Sequence, residues 1–253
     1  MVTHMSVKLR ERPVVRKAMR TGVPQRLLPL AFQLCAALLG WLGAGAPLLG
    51  GLRPLGLCFA AAVPTPYAVC AAAGAAAGYA FALPLADAAP YLAGAAVVAL
   101  LRGLAGTRRQ NYAPMAPATA AGIVFCLIRS GLAVAGYAGL PGILSAAAEA
   151  LLVLGLSYLL VGFFAVPRQG GMPQDAEERA ALCFAFMALL ACLTPYTVLG
   201  LSVARAAAAL TVLAVAARGQ EGAAAVTAVG AMAALCAADP ANLYAGLGIA
   251  AGG

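Results

Sequence analysis

The stretch LGLCFAAAVPTPYAVCAAAGAAAGYAFALPL, Leu55 to Leu85, carries no charged side chain. It is far longer than a bilayer-crossing helix, which needs roughly 20 apolar residues to span a hydrocarbon core of about 30 Å. It is punctuated at Pro64-Thr65-Pro66. Two prolines two residues apart remove backbone donors and push the preceding residues out of the helical region. The stretch therefore predicts a half-helix over Leu55 to Val63 and a full span from Tyr67 to about Leu83. The apolar runs are continuous rather than alternating, so they predict helices and not barrel strands.

Outward from this stretch the pattern repeats. Hydrophobic residues make up 64% of the 253 positions and charged residues 9%, where a soluble domain carries about a quarter charged. Mean hydropathy is +0.94. The expected fold is all-α: a polytopic transmembrane helical bundle of roughly eight to ten membrane segments, broken and half helices included. Two regions follow, a basic cytoplasmic head over residues 1–26 and a multi-pass membrane domain over 27–253.

The first span is Leu27 to about Leu49, read as an uncleaved membrane helix because it exceeds the usual apolar length of a signal peptide. Asp87 and Pro90 mark a connection, and Tyr91 to Leu101 is followed by Arg102, Arg108 and Arg109. Pro114 to Ile128 is a span closed by Arg129. Gly131 to Ala148 is interrupted by a turn or kink signal at Gly139-Leu140-Pro141-Gly142, and Ala150 to Val166 is a clean span led in by Glu149. A polar loop covers Pro167 to Glu178. Arg179 to Ala204 reads as a span kinked near Thr194-Pro195, which Ala206 to Ala217 extends. Arg218 to Gly222 is a turn, Ala223 to Ala238 a span, and Leu243 begins a helix that stops at Gly253, as if truncated.

The formal charge of +8 is uneven, because seven of the sixteen basic residues lie in the first 26 positions with Glu11 as their only acid. A basic head before the first apolar run is retained on the cytoplasmic side, where the surface is anionic. No folded basic domain accompanies it, which argues against nucleic acid as a partner. The Arg102–Arg109 cluster is expected on the same side. That requires an even number of crossings between the two clusters, so the half-helix is either re-entrant or fused to a neighbour.

Seven cysteines stand in apolar runs without a CxxC, and the single histidine, His4, lies in the head. Neither pattern points to a metal or redox centre. The eight acids do not cluster inside the apolar runs, and GxSxG, HExxH and P-loop motifs are missing, so no catalytic, cofactor or metal residues are expected here. Gly74-Ala75-Ala76-Ala77-Gly78 is a GxxxG step, which lets helix backbones approach closely. Gly74 and Gly78 are the packing candidates, within the chain or in a homo-oligomer. Asp87, Arg129, Glu149, Arg205 and Asp239 are the charges nearest membrane depth. Helix-end placement is the expected reading for each, with an Arg129–Glu149 pair and a ligand role for Glu149 as the functional alternatives.

Several segments resemble the stage II sporulation protein E (SpoIIE) family. They are Leu38-Leu39-Gly40-Trp41, then Leu48-Leu49-Gly50-Gly51-Leu52-Arg53-Pro54-Leu55-Gly56-Leu57-Cys58-Phe59-Ala60-Ala61, Leu210 to Gly230 with its Arg218-Gly219-Gln220-Glu221-Gly222 turn, and Glu149-Ala150-Leu151-Leu152. Trp41 stands where the family carries an arginine. The resemblance implies the membrane region of a PP2C-type serine phosphatase, a hydrolase that uses Mn²⁺ or Mg²⁺ in a domain these residues do not include. It also implies the sporulation septum as location, with the division protein FtsZ and a phosphorylated anti-anti-sigma factor as partners of other regions and a forespore sigma factor as the output. Within this chain the expected partner is the lipid bilayer. The alternatives are a small-molecule membrane transporter or its substrate-binding subunit, or a purely structural membrane protein.

Overall fold

The computed structural model describes residues 27–49, 51–107, 115–136, 139–165, 176–219 and 221–252. The basic head, Arg108 and Arg109, and most of the polar loop after Pro167 lie outside the described residues. Ten α-helices occur among them: α1 Leu27–Gly45, α2 Leu55–Ala62, α3 Thr65–Ala82, α4 Leu85–Thr107, α5 Ala116–Ala135, α6 Gly139–Ala165, α7 Ala176–Leu193, α8 Val203–Ala216, α9 Glu221–Ala238 and α10 Leu243–Gly252. One two-residue hairpin, Thr197–Val198 paired antiparallel with Leu201–Ser202, separates α7 from α8. Three helices, Leu85–Leu104, Ala116–Ala135 and Leu140–Phe164, are long and apolar enough to cross a bilayer.

The double proline sets the course of the first half. α2 ends at Ala62, Val63 and Pro64 are extended, and α3 starts at Thr65 with Pro66 in its first turn, where a missing N–H is harmless. α1 and α3 run parallel. Phe32 meets Tyr67 near one end, with ring centroids 5.8 Å apart, and Trp41 meets Phe81 near the other at 5.1 Å. Between them α2 descends in the opposite sense, its start against Gly43 and Ala44 of α1 and the far end of α3. All eight α2 residues are buried. The half-helix is thus a short, wholly internal traverse in its own right. Four traverses, α1 to α4, bring Leu27 and Arg102 to one end of the bundle.

Alternation then continues. α4 runs antiparallel to α3, since Tyr91 stacks on Tyr79 and Arg102 reaches Thr65 Oγ1 at 3.4 Å. Gly94 of α4 lies 3.7 Å from the Ala121 carbonyl of α5, and Gly122 of α5 lies 3.5 Å from that of Ala150 in α6, both measured from an added Cβ. α7, α8 and α9 form a satellite core around Leu190, Ala204, Ala208, Ala231 and Leu235. It joins the first half where the Leu49 N–H donates to the Ala237 carbonyl at 2.8 Å.

Four expectations need correction. Asp87 and Pro90 are not in a connection: α4 begins at Leu85, and Pro90 forfeits only one bond near the helix start. α5 does not stop at Arg129 but continues to Ala135. Gly131 to Ala148 is interrupted, but ahead of the expected residues: α5 ends at Ala135 and α6 opens at Gly139, with Pro141 in its first turn, and runs unbroken to Ala165. Thr194-Pro195 is not a kink: α7 ends at Leu193, and Leu199 (φ 53°) and Gly200 (φ 79°) close a two-residue hairpin turn. Both central residues in the left-handed region give the turn whose twist suits a hairpin.

Candidate functional site

The polar chemistry of the interior gathers around Glu149. This residue lies ten positions into α6, not at a helix end, and is 0% exposed. Helix-end placement is therefore overturned for it. One carboxyl oxygen, Oε1, accepts from the Arg53 N–H at 2.9 Å and from the Tyr91 hydroxyl of α4. The other, Oε2, has no hydrogen-bond partner among the described residues. The charge partner considered from sequence, Arg129, is not among the groups that hold the carboxyl.

The main chain of Arg53 is held from both sides. Its carbonyl accepts from the Tyr79 hydroxyl at 2.7 Å, and the same hydroxyl accepts from the Leu57 N–H at 3.2 Å. Tyr79 stacks on Tyr91 with centroids 4.4 Å apart, and Phe125 of α5 closes the other side at 4.9 Å. Lower in the same groove, Cys58 Sγ lies 3.6 Å from the Val153 carbonyl of α6. Tyr79 and Glu149 thus satisfy the main chain that leads into α2, and Tyr91 holds the glutamate that does so. Arg53 is half-buried, and main-chain groups left unpaired away from water cost about 1–3 kcal/mol each.

Gly74 and Gly78 lie in the α1–α3 contact. A Cβ at Gly74 would collide with the Ala37 carbonyl, and one at Gly78 would stand 2.8 Å from that of Trp41. Gly40 of α1 is matched in the same way to Ala71 of α3. The small residues therefore bring two parallel backbones together within one chain.

The remaining charges sit nearer the ends. Asp87 is exposed in the first turn of α4, and Arg129 is half-buried in the last third of α5. Both line a cleft of about 230 Å³ together with Pro90, Leu132, Gly142 and Ser145. Arg205 donates from Nε to Asn242 Oδ1 at 3.0 Å, and Asn242 Nδ2 donates to the Leu235 carbonyl at 3.4 Å. Arg102 donates to the Ala61 carbonyl at the exit of α2. Asp239 follows the last residue of α9. Among the described residues no three His, Cys, Asp or Glu side chains gather as they would around a metal ion.

Sequence reading missed Arg53, Tyr79, Tyr91 and Asn242. A signal was available for the tyrosines: a buried Tyr places its hydroxyl against a partner, and both stand inside long apolar helices. No family model, curated protein or solved structure matches this chain.

Proposed function

We propose that this chain is the bilayer-embedded anchor of a SpoIIE-like PP2C-type serine phosphatase. It sets where and in what assembly a catalytic domain works, and performs no chemistry itself. The observation that carries this reading is the Arg53–Glu149 hydrogen bond. Its two ends belong to two separate segments of the family resemblance, Leu48–Ala61 and Glu149–Leu152, and the bond joins them in the interior.

The arrangement suits an anchor in other respects. Large apolar side chains such as Phe81, Leu100, Leu127 and Leu151 face outward, as a lipid-facing surface requires. Arg102, Arg179 and Arg218 lie at the end from which α1 starts and Arg53, Arg129 and Arg205 toward the other, so the orientation rests on the seven basic residues that precede α1, which the positive-inside bias assigns to the cytoplasm. In this reading FtsZ, the phosphorylated anti-anti-sigma factor and the Mn²⁺ or Mg²⁺ ions engage other regions of the protein.

The test is localisation of the chain, fused to a fluorescent reporter, in a sporulating bacterium. Accumulation at the asymmetric septum supports the anchor. Uniform membrane fluorescence, with saturable solute uptake by liposomes holding the purified chain, replaces it with a transporter.

A further inference from the structure

We infer that the cleft between α4, α5 and α6 binds the phosphoethanolamine headgroup of a bilayer lipid, with the phosphate on Arg129 and the ammonium on Asp87. The inference rests on the bilayer placement above but not on any link to a phosphatase.

Charge comes first. The cleft presents one cation, one anion and one hydroxyl among small and apolar residues, and no ion pair joins Asp87 to Arg129 among the described residues. A half-buried guanidinium without an anion leaves its desolvation uncompensated. Its planar fork matches two phosphate oxygens. A carboxylate accepts from an ammonium N–H, and so does a hydroxyl oxygen. Ser145 directs its own O–H to the Gly142 carbonyl at 2.9 Å, which leaves its lone pairs as acceptors. The complementary ligand is a zwitterion with a phosphate and a primary amine.

Size and depth narrow the choice. The cleft, at about 230 Å³, is below the roughly 300–1,000 Å³ of pockets that enclose a drug-sized ligand. Arg129 precedes the end of α5 at Ala135 by six residues, and Ser145 follows the start of α6 at Gly139 by six. At about 1.5 Å per residue both lie some 9 Å inside the helix ends, and Asp87 lies closer to its own. α5, at 20 residues and about 30 Å, is as long as the hydrocarbon core is thick, so the Arg129 backbone lies below the headgroups and its long side chain meets a phosphate by snorkelling toward the interface. Leu132, on the cleft wall, and Leu140 and Leu144 beside it are exposed and give the acyl chains an apolar face. A soluble zwitterion would have no use for them.

Chemistry also sets a selectivity order. Phosphatidylcholine keeps the phosphate but has no N–H for Asp87, and phosphatidylglycerol has no cation. The full chain is released from micelles doped with equal amounts of the ethanolamine, choline and glycerol lipids, and retained lipid is counted by native mass spectrometry. One ethanolamine lipid per chain is expected at about tenfold preference, the weight of one charge-assisted hydrogen bond. Arg129→Gln and Asp87→Asn should each abolish the preference. Should Arg129→Gln fail to fold, Arg129→Lys keeps the charge, loses the fork, and should lower the preference severalfold.

Equal retention of the three lipids, or a preference unchanged in the variants, overturns the site. So does competition by water-soluble glycerophosphoethanolamine at the same concentration as the lipid, which would mark a solute site. Flotation with pure phosphatidylcholine vesicles separates the two claims. A chain that floats without headgroup preference loses this site alone, and a chain that does not float loses the bilayer placement as well.

Discussion

The main-chain N–H of Arg53 donates to the carboxyl of Glu149 across 96 positions of sequence, at 2.9 Å. This bond fastens the turn before the buried half-helix to the middle of α6. The Tyr91 hydroxyl donates to the same oxygen, so one acceptor serves two interior donors from two other elements.

Glu149→Ala should be among the most damaging single changes in the chain. It strands both donors, each at about 1–3 kcal/mol, and opens a cavity. Glu149→Gln keeps a carbonyl oxygen for Arg53 and should lose markedly less. Thermal unfolding in detergent, read by near-ultraviolet circular dichroism, checks the order Glu > Gln > Ala. Equal melting of the Ala variant and the parent would remove the fastening role.

Tyr79→Phe removes one hydroxyl that serves both the Arg53 carbonyl and the Leu57 N–H. The loss expected is about 1–3 kcal/mol, with the aromatic stack intact. Because Tyr79 and Glu149 hold the main chain of the same residue, Arg53, the double variant Tyr79→Phe/Glu149→Gln should show coupling rather than simple addition. A double-mutant cycle on unfolding free energy measures it.

Gly74→Ala and Gly155→Ala should act in opposite directions. At Gly74 the added methyl meets the Ala37 carbonyl, whereas at Gly155 nothing lies within 4 Å. Forced separation of α1 and α3 costs about 1–3 kcal/mol, while the open helical site gains up to about 1 kcal/mol from propensity. A fall in melting temperature for the first and a rise for the second is the expected pair of results.

Leu199→Gly should stabilise the chain. Leu199 is 99% exposed and holds φ 53° at the hairpin tip. A left-handed conformation costs a non-glycine residue about 1–2 kcal/mol, and no packing is lost with the side chain. Urea midpoints in detergent compare the two. An unchanged or lower midpoint would mean that the leucine is held by contacts outside this chain.

Single cysteines replacing Leu140 and Phe164, in a chain freed of its seven native cysteines, should label from opposite faces of sealed vesicles. The two residues bound the apolar length of α6, which is long enough to cross a bilayer. Labelling of both by an impermeant maleimide from one face would contradict a crossing by α6.

The sequence by itself determined that the chain is helical and where its sharpest break falls. Continuous apolar runs without strand alternation read as helices, and Pro64 with Pro66 stops a helix whatever surrounds it. Gly74 and Gly78 were legible as small steps, but not the parallel partner α1 that lies on them. Tertiary structure decided what the charges do. Glu149 reads from sequence as the polar residue before a span, because Gly139 to Gly142 looks like a break. In the fold those residues open a continuous helix, and the carboxyl ends at its buried middle. Local signals report whether a residue can end a helix, whereas burial depends on which distant groups arrive to meet it. The donors that meet Glu149, the Arg53 amide and the Tyr91 hydroxyl, are brought by the descent of α2 and the return of α4. No window of sequence contains them together.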